Sequence, residues 1–323
     1  MPRLLSTQSH VVHGYVGNKA ATFPLQYLGW DVDCCNSVQF SNHTGYGRDR
    51  VFGHSATESE LDNLLGGIYQ NFGGDYDALL SGYLPNKEVV RCMGRHYAKF
   101  KGRNKGTIWL MDPVMGDEGT LYVSEDVIPE YRQLALSKES LVDIITPNQF
   151  ELELLCGHKI SSRDDLKKSL EFLHQTVPVI IVTSCAASLF EDTEKIYCVA
   201  SMRGRKPIVY RVPFIDSYFT GVGDLFSALV VDRIYKLYTD VNEVRQFEYQ
   251  INDILNIIQH VLKITRTLSR SSTKSKMGSV EGMKNAELRI IESREFFTHD
   301  SSMKTAEGSG PITNQENYVF EYL

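Results

Sequence analysis

The sequence predicts an α/β protein with a central, mainly parallel sheet and helices on both of its faces. Over about the first 270 residues, short β-prone runs alternate with longer helical patterns. The strand runs are continuously apolar, as in "PVIIVTS" (178–184), which is typical of strands that are buried on both faces. Two later β-prone runs follow each other without a helix, which indicates an antiparallel hairpin at one edge of the sheet.

Five short β-prone runs are the candidates for the parallel strands. They are "WDVDCCN" (30–36), "YDALLSG" (76–82), "GTIWLMD" (106–112), "LVDIITP" (141–147) and "PVIIVTS" (178–184). Segments with apolar residues at helical spacing separate them. These segments are 58–72, 86–101, 124–136, 149–156 and 162–176. Alternation of strands and helices is the signature of a parallel sheet that helices cover on both sides.

The second half of the chain continues this domain. "KIYCVAS" (195–201) and "PIVYRVP" (207–213) predict the hairpin, with "MRGRK" as its turn. One helix opens near Gly223, and a long helical pattern spans about 246–268. We therefore expect one domain over residues 1–297.

The composition changes after Thr267. "SRSSTKSKMGS" (269–279) is polar and basic and predicts a loop. "NAELRIIESREFF" (285–297) regains an apolar periodicity and should pack back on the domain. The Ser/Thr/Gly-rich stretch from Thr298 predicts a flexible tail over 298–323.

Composition and charge exclude several classes of function. The formal net charge of −6 argues against general nucleic-acid binding, which needs a basic surface. No apolar run approaches the roughly 20 residues of a membrane-spanning helix, and the N-terminus lacks the apolar core of a secretory signal. The six cysteines contain no CxxC pair, so we expect reduced, buried thiols in a cytosolic protein. We predict a cytoplasmic location, with the nucleus as a second compartment, and no membrane or nucleic-acid partner.

Polar residues follow several of the predicted strands. In open parallel sheets, ligands bind beyond the carboxyl ends of the strands, so these residues are candidates for a binding site. They are Asn36, Asp112, Thr146, Asn148, Glu151, Thr183 and Ser184.

The stretch Gly221–Asp224 places two glycines and an acid at the start of a predicted helix. Unpaired backbone N–H groups and the positive end of the helix dipole favour an anion there, and glycines let a phosphate approach the backbone. A carboxylate would repel that phosphate, but it fits if it takes the proton from a hydroxyl that attacks the phosphate. Asp224 is equally well suited to be an ordinary N-terminal cap, and the motif alone leaves both interpretations open.

At this point the chain resembles the pyridoxal kinases, of the ribokinase-like superfamily and of the eukaryotic type. The matching motifs occur in the family's order and spacing across about residues 3 to 295. They include "TQSHVVHGYVGNKAATFPLQ", "NSVQFSNHTGYG", "MDPVMGD", "DIITPNQFELE" and "GVGDLFSA". The resemblance implies a ribokinase-like three-layer fold and a homodimer. It also implies transfer of the γ-phosphate of ATP to the 5′-hydroxyl of pyridoxal, pyridoxine or pyridoxamine.

The resemblance assigns the reaction to the glycine-rich stretch and its surroundings. Asp224 would be the general base, and the backbone amides of Gly221, Val222 and Gly223 would form the anion hole. Ser9 would hydrogen-bond the pyridine ring, since a hydroxyl both donates and accepts. The rest of the substrate pocket would consist of Val38, Phe40, His43, Thr44, Tyr83 and Tyr122, the last in a mobile flap. Taken alone, these serine, threonine and tyrosine residues equally suit backbone capping and packing.

The resemblance also implies how ATP is held. Asp112 and Glu151 would lie near Mg²⁺ or another divalent cation, which prefers oxygen ligands and keeps several waters, and Asn148 would lie beside them. On their own, Asn148 and Glu151 also suit a helix start, and both roles can hold together. The further contacts would be Asp117, Thr146 and Thr183 for K⁺, Thr183 and Ser184 for phosphate, and Ile215, Asp216 and Ser217 for adenine.

The sequence departs from the family pattern in three places. Val222 stands where close relatives often carry threonine, the "MGDEGTLYV" flap is shorter than in the vertebrate type, and the tail from Thr298 has no counterpart. Two alternatives remain beside the kinase of vitamin B6. One is a kinase of the same fold for a hydroxymethylpyrimidine or sugar, against which Ser9 and "SVQFSNHTGY" argue. The other is a non-catalytic binder of pyridoxal 5′-phosphate, which would need no base such as Asp224.

Overall fold

The computed structural model describes residues 1–190, 192–238, 244–269, 278–298 and 316–323. The strands are β1 (Arg3–Val11), β2 (Asp31–Phe40), β3 (Gly53–Ser55), β4 (Ala78–Ser81), β5 (Ile108–Met111), β6 (Gly116–Asp117), β7 (Thr120–Leu121), β8 (Ile144–Ile145), β9 (Val179–Cys185), β10 (Lys195–Met202), β11 (Ile208–Pro213) and β12 (Val319–Tyr322). The helices are α1 (Asn18–Tyr27), α2 (Glu58–Phe72), α3 (Lys87–Arg103), α4 (Ile128–Ala135), α5 (Gln149–Cys156), α6 (Arg163–Leu173), α7 (Val222–Tyr238), α8 (Val244–Leu268), α9 (Val280–Ala286) and α10 (Arg294–Phe297).

Ten of these strands form one sheet, in the order β12-β11-β10-β9-β8-β5-β4-β1-β2-β3. The six central strands from β9 to β2 pair in parallel. The outer strands are antiparallel: β10, β11 and β12 on one side and β3 on the other. The predicted hairpin is confirmed as β10–β11, and the separate pair β6–β7 forms a small flap.

The sheet separates two hydrophobic cores, so the domain has three layers. One core lies between the sheet and the helices α1, α7, α8 and α10, with fully buried side chains such as Leu25 and Leu229. The other lies under α2 to α6, with Leu61 and Leu152 fully buried. Burying one such leucine contributes about 1.5–3 kcal/mol. The predicted α/β fold with helices on both faces is confirmed, and none of the described helices is long and apolar enough to cross a membrane.

Side-chain caps fix where several helices begin. Thr57, Asn86, Asn148 and Ser162 each accept a hydrogen bond from the backbone N–H three residues further on, which satisfies one of the unpaired donors of the first turn. At α2 and α5 the glutamate at that third position bonds back to the N–H of the cap. The observed starts of these helices therefore lie within a residue of the predicted ones.

The first strand and helix were not among the predicted elements. β1 lies between β4 and β2 near the middle of the sheet, although it carries the polar run Ser6–Ser9. These polar side chains are buried, and the first three are bonded internally: Tyr97 Oη donates to Thr7 Oγ1 (2.8 Å), and Gln8 Nε2 donates to Ser6 Oγ (2.8 Å). The run therefore lacks the apolar pattern by which the other strands were predicted.

Of the predictions for the C-terminal part of the chain, one is confirmed and one is wrong for the described residues. Segment 285–297 packs back on the domain as predicted, with Leu288, Ile290 and Phe297 buried. The expectation of a flexible tail is wrong for residues 316–323, because β12 pairs with β11. Asn252 on α8 also holds this segment, since its Oδ1 accepts from Tyr318 N (2.8 Å). Residues 299–315 of the expected tail and 270–277 of the expected loop lie outside the described residues.

The six cysteines are unpaired, as expected. Cys35, Cys92, Cys185 and Cys198 are buried, but Cys34 is exposed. Its Sγ lies 3.0 Å from Thr22 Oγ1 on α1, and Cys156 is half-buried. The expectation of burial is therefore wrong for Cys34.

Candidate active site

The candidate residues gather at the carboxyl ends of the parallel strands. Asp112 directly follows β5, Thr146 follows β8, and Thr183 lies near the end of β9. Ser9 lies near the end of β1. The N-terminus of α7 faces the same edge, because the side chain of Ser227 on that helix donates a hydrogen bond to Asp112 Oδ2 (3.1 Å). The rule for parallel sheets therefore brings residues from distant motifs to one place.

Gly221 lets the start of α7 lie directly against the loop between β1 and α1. Its φ is +87°, and a Cβ added there would lie 1.9 Å from the carbonyl oxygen of Tyr15. Helix α7 begins at Val222, so the N–H groups of its first turn have no partners within the helix. The stretch presents backbone donors and the positive end of the helix dipole toward the strand ends.

Asp224 lies half-buried in the first turn of this helix. Burial raises the pKa of its carboxyl group, whereas the N–H of Gly17, which donates to it, and the nearby His43 lower it. Gly17 has a φ of +53°, and a Cβ there would lie 2.1 Å from the carbonyl oxygen of Ser9. The close approach of this loop therefore brings Asp224 and Ser9 to the same side of the site.

Asp112, Glu151 and Asp224 form a cluster of acids. Burial and the charge of Asp224 raise the pKa of Asp112 to about 8. Burial and the charge of Asp112 raise the pKa of Glu151 well above its usual range, against the effect of three backbone N–H groups. Carboxylates that lie close together repel one another, and a bound cation favours their ionised forms by neutralising this charge. Oxygen ligands with this mutual repulsion fit a divalent cation such as Mg²⁺.

Glu151 also has a structural role at the start of α5. The N–H of Asn148 donates to its Oε2 (2.9 Å) and the N–H of Met115 donates to its Oε1 (2.9 Å). The side chain of Asn148 caps α5 through the N–H of Glu151 (2.9 Å) and donates to the carbonyl of Gly116 (2.8 Å). The structure is therefore compatible with both a helix-capping role and a role near the metal for Asn148 and Glu151. Their hydrogen bonds also hold the start of the flap at Gly116.

The residues expected around a monovalent cation have different environments. The hydroxyl of Thr146 is buried and lies 2.9 Å from that of Ser227, which links it to Asp112. The hydroxyl of Thr183 reaches the carbonyl of Pro147 (3.5 Å). Asp117 is exposed in the β6–β7 flap, and its carboxylate accepts a hydrogen bond from Glu118 N (2.9 Å). Ser184 adjoins Thr183 at the end of β9.

The expected substrate residues come from the carboxyl ends of β1 and β2, from the segments that follow β2 and β4, and from the flap. Ser9 pairs with Val38, directly after a register shift in β1. Phe40 ends β2, and Thr44 is exposed at the start of a short 3-10 turn. Tyr83 is partly buried and Tyr122 is exposed, and desolvation raises the pKa of each phenol.

The residues expected near adenine lie in the segment that follows β11. Ile215 packs against the core that contains α7 and α8, and its carbonyl accepts a hydrogen bond from Ser217 N (2.7 Å). Asp216 between them is exposed.

Glu287 is a buried residue of the site that the sequence did not reveal. It accepts hydrogen bonds from His43 Nε2 (2.9 Å), Tyr46 Oη (2.8 Å) and Tyr15 N (3.0 Å). Burial alone would raise the pKa of Glu287, but these donors outweigh it and lower the pKa. The backbone of Glu287 also forms a bridge with Thr220, directly before the glycine-rich stretch. It therefore ties three loops of the site together.

Comparisons with known proteins show which family the chain resembles. A family model described as phosphomethylpyrimidine kinase matches residues 68–255. The chain is 69% identical over 297 residues to a protein of Saccharomyces cerevisiae named putative pyridoxal kinase BUD16, covering 92% of this chain and 95% of that protein. It is 36% identical to pyridoxal kinase of Ovis aries, covering 90% and 94%. Pyridoxal kinase from Leishmania donovani, solved in complex with ADP and pyridoxamine, superposes with a TM-score of 0.79 at 30% identity, covering 94% of this chain and 97% of that one.

Proposed function

The chain belongs to the pyridoxal kinase family of the ribokinase-like superfamily, and we propose that Asp224 and the backbone of Gly221–Gly223 carry its reaction. It is an ATP-dependent kinase of vitamin B6: the γ-phosphoryl group of ATP passes to the 5′-hydroxyl of pyridoxal, pyridoxine or pyridoxamine. The observation that supports the proposed roles is the position of a carboxylate in the first turn of α7, where the backbone donors and Ser9 meet.

The proposed mechanism uses two features of α7. Asp224 accepts the proton of the 5′-hydroxyl as that oxygen attacks the γ-phosphorus, and the N–H groups of Gly221–Gly223 stabilise the charge of the transferring phosphoryl group. Burial raises the pKa of Asp224 overall, and the N–H of Gly17 and the nearby His43 partly offset this effect in favour of the ionised form, which a base requires. Gly17 and Gly221 hold the surrounding loops at contact distance, so the donors are placed before the substrate arrives.

Metal ions complete the proposed nucleotide site. Asp112 and Glu151 would hold Mg²⁺ or another divalent cation, which neutralises phosphate charge when it is bound. Because both oxygens of Glu151 already accept backbone N–H groups, its contact to the ion would pass through water. Asp117, Thr146 and Thr183 would hold K⁺, and Thr183 and Ser184 would contact phosphate.

Three further properties belong to the same proposal. Ser9, Val38, Phe40, His43, Thr44, Tyr83 and Tyr122 would form the pocket for the pyridine substrate, and 213–218 would lie beside adenine. The enzyme would be a homodimer, which light scattering of the purified protein tests. Its location would be the cytoplasm and also the nucleus, which imaging of a fluorescent fusion tests.

A substrate panel separates this function from its alternatives. We expect ADP release with pyridoxal, pyridoxine and pyridoxamine that exceeds release with a hydroxymethylpyrimidine or a sugar alcohol. A hydroxymethylpyrimidine is the most informative competitor, since the matching family model is described by a pyrimidine substrate and both molecules carry a hydroxymethyl group on a heteroaromatic ring. A protein that binds pyridoxal 5′-phosphate without any turnover of Mg·ATP would refute the kinase assignment.

The assignment of the base is tested by Asp224→Asn. Losing a general base typically lowers kcat by a factor on the order of 10²–10⁴. Asp164→Asn is the matched control, since Asp164 also lies in the first turn of a helix, α6, and is exposed. Asp224→Asn with the kcat of the control would mean that another group accepts the proton.

A further inference from the structure

Three side chains with metal-binding atoms meet between α2 and α3. They are Asp62, Cys92 and His96, and one ligand atom of each lies within 4.8 Å of the others. Cys92 and His96 are four residues apart on α3, so they lie on the same face of that helix. Asp62 reaches them from α2, which packs alongside. The helices thus fix the positions of all three groups.

The distances are close to those of a tetrahedral metal site. His96 Nε2 lies 2.8 Å from Asp62 Oδ1, and Cys92 Sγ lies 3.8 Å from the same oxygen. Zinc bonds of about 2.3 Å to sulfur and about 2.0–2.1 Å to nitrogen and oxygen place tetrahedral ligand atoms roughly 3.3–3.6 Å apart. These two pairs lie on either side of that range, and all three ligand atoms lie within 4.8 Å of one another, so side-chain adjustment can bring them to tetrahedral distances.

Hydrogen bonding explains only part of this arrangement. The bond from His96 to Asp62 is short and well formed, but Cys92 Sγ is 3.8 Å from both Asp62 Oδ1 and the carbonyl of Glu58, and a thiol is a weak donor. The side chain of His96 is 5% exposed, while that of Asp62 is 53% exposed. The cluster therefore has a buried thiol and imidazole and one side that is open to water.

We propose that Asp62, Cys92 and His96 bind a single divalent ion of the zinc type, with water as the fourth ligand. Thiolate and imidazole select such an ion over Mg²⁺, which prefers oxygen. Binding replaces the thiol proton, which leaves to solvent, and involves no change of oxidation state. The thiolate and the carboxylate then balance the charge of the ion.

Arg95 does not block this site. Its NH2 group lies 3.7 Å from Asp62 Oδ1 but 3.1 Å from Glu58 Oε1, so it keeps a carboxylate partner when Asp62 turns to the ion. The ion would link α2 to α3, whose buried residues belong to the core on the opposite face of the sheet from α7. Its role is therefore structural, and it is separate from the phosphoryl-transfer site.

Cobalt titration of the metal-stripped full chain tests the site, because Co²⁺ takes the place of zinc and reports a bound thiolate through a charge-transfer band. We expect one equivalent to bind with this band, to be displaced by Zn²⁺, and to raise Tm. Cys92→Ser should abolish the band. Asp62→Asn and His96→Gln should weaken binding at least about tenfold, since even the loss of a supporting group often has an effect of this size.

The control is Cys34→Ser, which removes the exposed thiol of β2 and should leave the band unchanged. All variants should keep the kinase activity of the wild type, which reports on their folding. Asp62→Asn changes an exposed residue and keeps the test decisive where Cys92→Ser does not fold. The proposal is overturned by a wild type without the thiolate band, by a band that persists in Cys92→Ser, or by undiminished binding in Asp62→Asn.

Discussion

Gly221→Ala should disable the kinase by displacing the start of α7. The added Cβ would lie 1.9 Å from the carbonyl oxygen of Tyr15, and real Cβ contacts essentially never fall below 3.0 Å. The carbonyl oxygen of Tyr15 and the Cα that would carry the new Cβ both belong to the backbone, so no side-chain rotation relieves the contact. The loop and the helix start must separate by about 1.1 Å, and a misplacement of about 1 Å can cost a factor on the order of 10² in rate. We therefore expect kcat/KM for pyridoxal to fall about 100-fold, which equals about 2.7 kcal/mol.

Gly204→Ala separates this displacement from simple backbone strain. Gly204 lies in the turn between β10 and β11 with a φ of +78°, close to the +87° of Gly221, and a Cβ there would meet nothing within 4 Å. Both variants should lose about 1–2 kcal/mol of folding free energy from the left-handed backbone. Only Gly221→Ala should lose activity.

The assay is ADP release at saturating Mg·ATP with pyridoxal varied, on variants whose Tm has been measured by calorimetry. If kcat/KM of Gly221→Ala stays within about threefold of that of Gly204→Ala, a difference of less than about 1 kcal/mol, then the close contact with Tyr15 does not place the anion hole. The proposed role of the Gly221–Gly223 backbone would then need another explanation.

Three further changes test neighbouring parts of the site. The pKa of Asp112 is raised to about 8, against 3.8 for an ordinary aspartate. The folded state therefore binds this proton more tightly than the unfolded state, and Asp112 lowers the free energy of unfolding increasingly as pH rises from about 4 to about 8. Asp112→Asn should therefore raise Tm of the metal-free and nucleotide-free enzyme more at pH 8 than at pH 5 while weakening Mg·ATP binding, and an equal Tm change at both pH values would contradict the raised pKa. Glu287→Gln should cost about 1–3 kcal/mol of stability in chemical denaturation and lower kcat/KM for pyridoxal about tenfold, because a buried charge that accepts three hydrogen bonds is lost. Glu292→Gln, an exposed neighbour, should do neither. Val222→Thr should change KM for ATP by less than about tenfold and leave kcat intact, since a hydroxyl adds one hydrogen bond and the backbone N–H is unchanged; a large change in kcat would argue against a backbone anion hole.

The architecture was predictable because most strands are buried on both faces. In β5 and β9 every position before the candidate site is apolar. These strands can therefore be predicted without knowing which strands they pair with. β1 and α1 escaped the same reasoning for physical reasons. The side chains of Ser6, Thr7 and Gln8 have internal partners, and that of Thr7 is Tyr97, which lies far along the chain. Helix α1 contains Pro24, and proline usually marks a helix boundary.

The residues of the candidate site could be proposed from the sequence only where a short local stretch carries the chemistry. The glycines and Asp224 form one short stretch at a helix start, and the polar residues after β5, β8 and β9 follow from the parallel sheet. Glu287 carries no local signal, because all of its partners lie more than 240 residues away, except the backbone bridge to Thr220. β12 likewise escaped because its partner strand β11 ends more than a hundred residues earlier, with the polar stretch from Thr298 between them.

Helix α7 begins at the turn proposed to bind phosphate and continues, largely buried, between the sheet, α1 and α8. Ala228 and Leu229, one turn beyond Asp224, are fully buried in the core. A larger side chain at Ala228 would push the helix as a rigid body and carry the N–H donors at its start with it. On this proposal, most substitutions on the buried face of α7 would affect catalysis as well as folding stability. The sequence of this face is then constrained during evolution by both requirements.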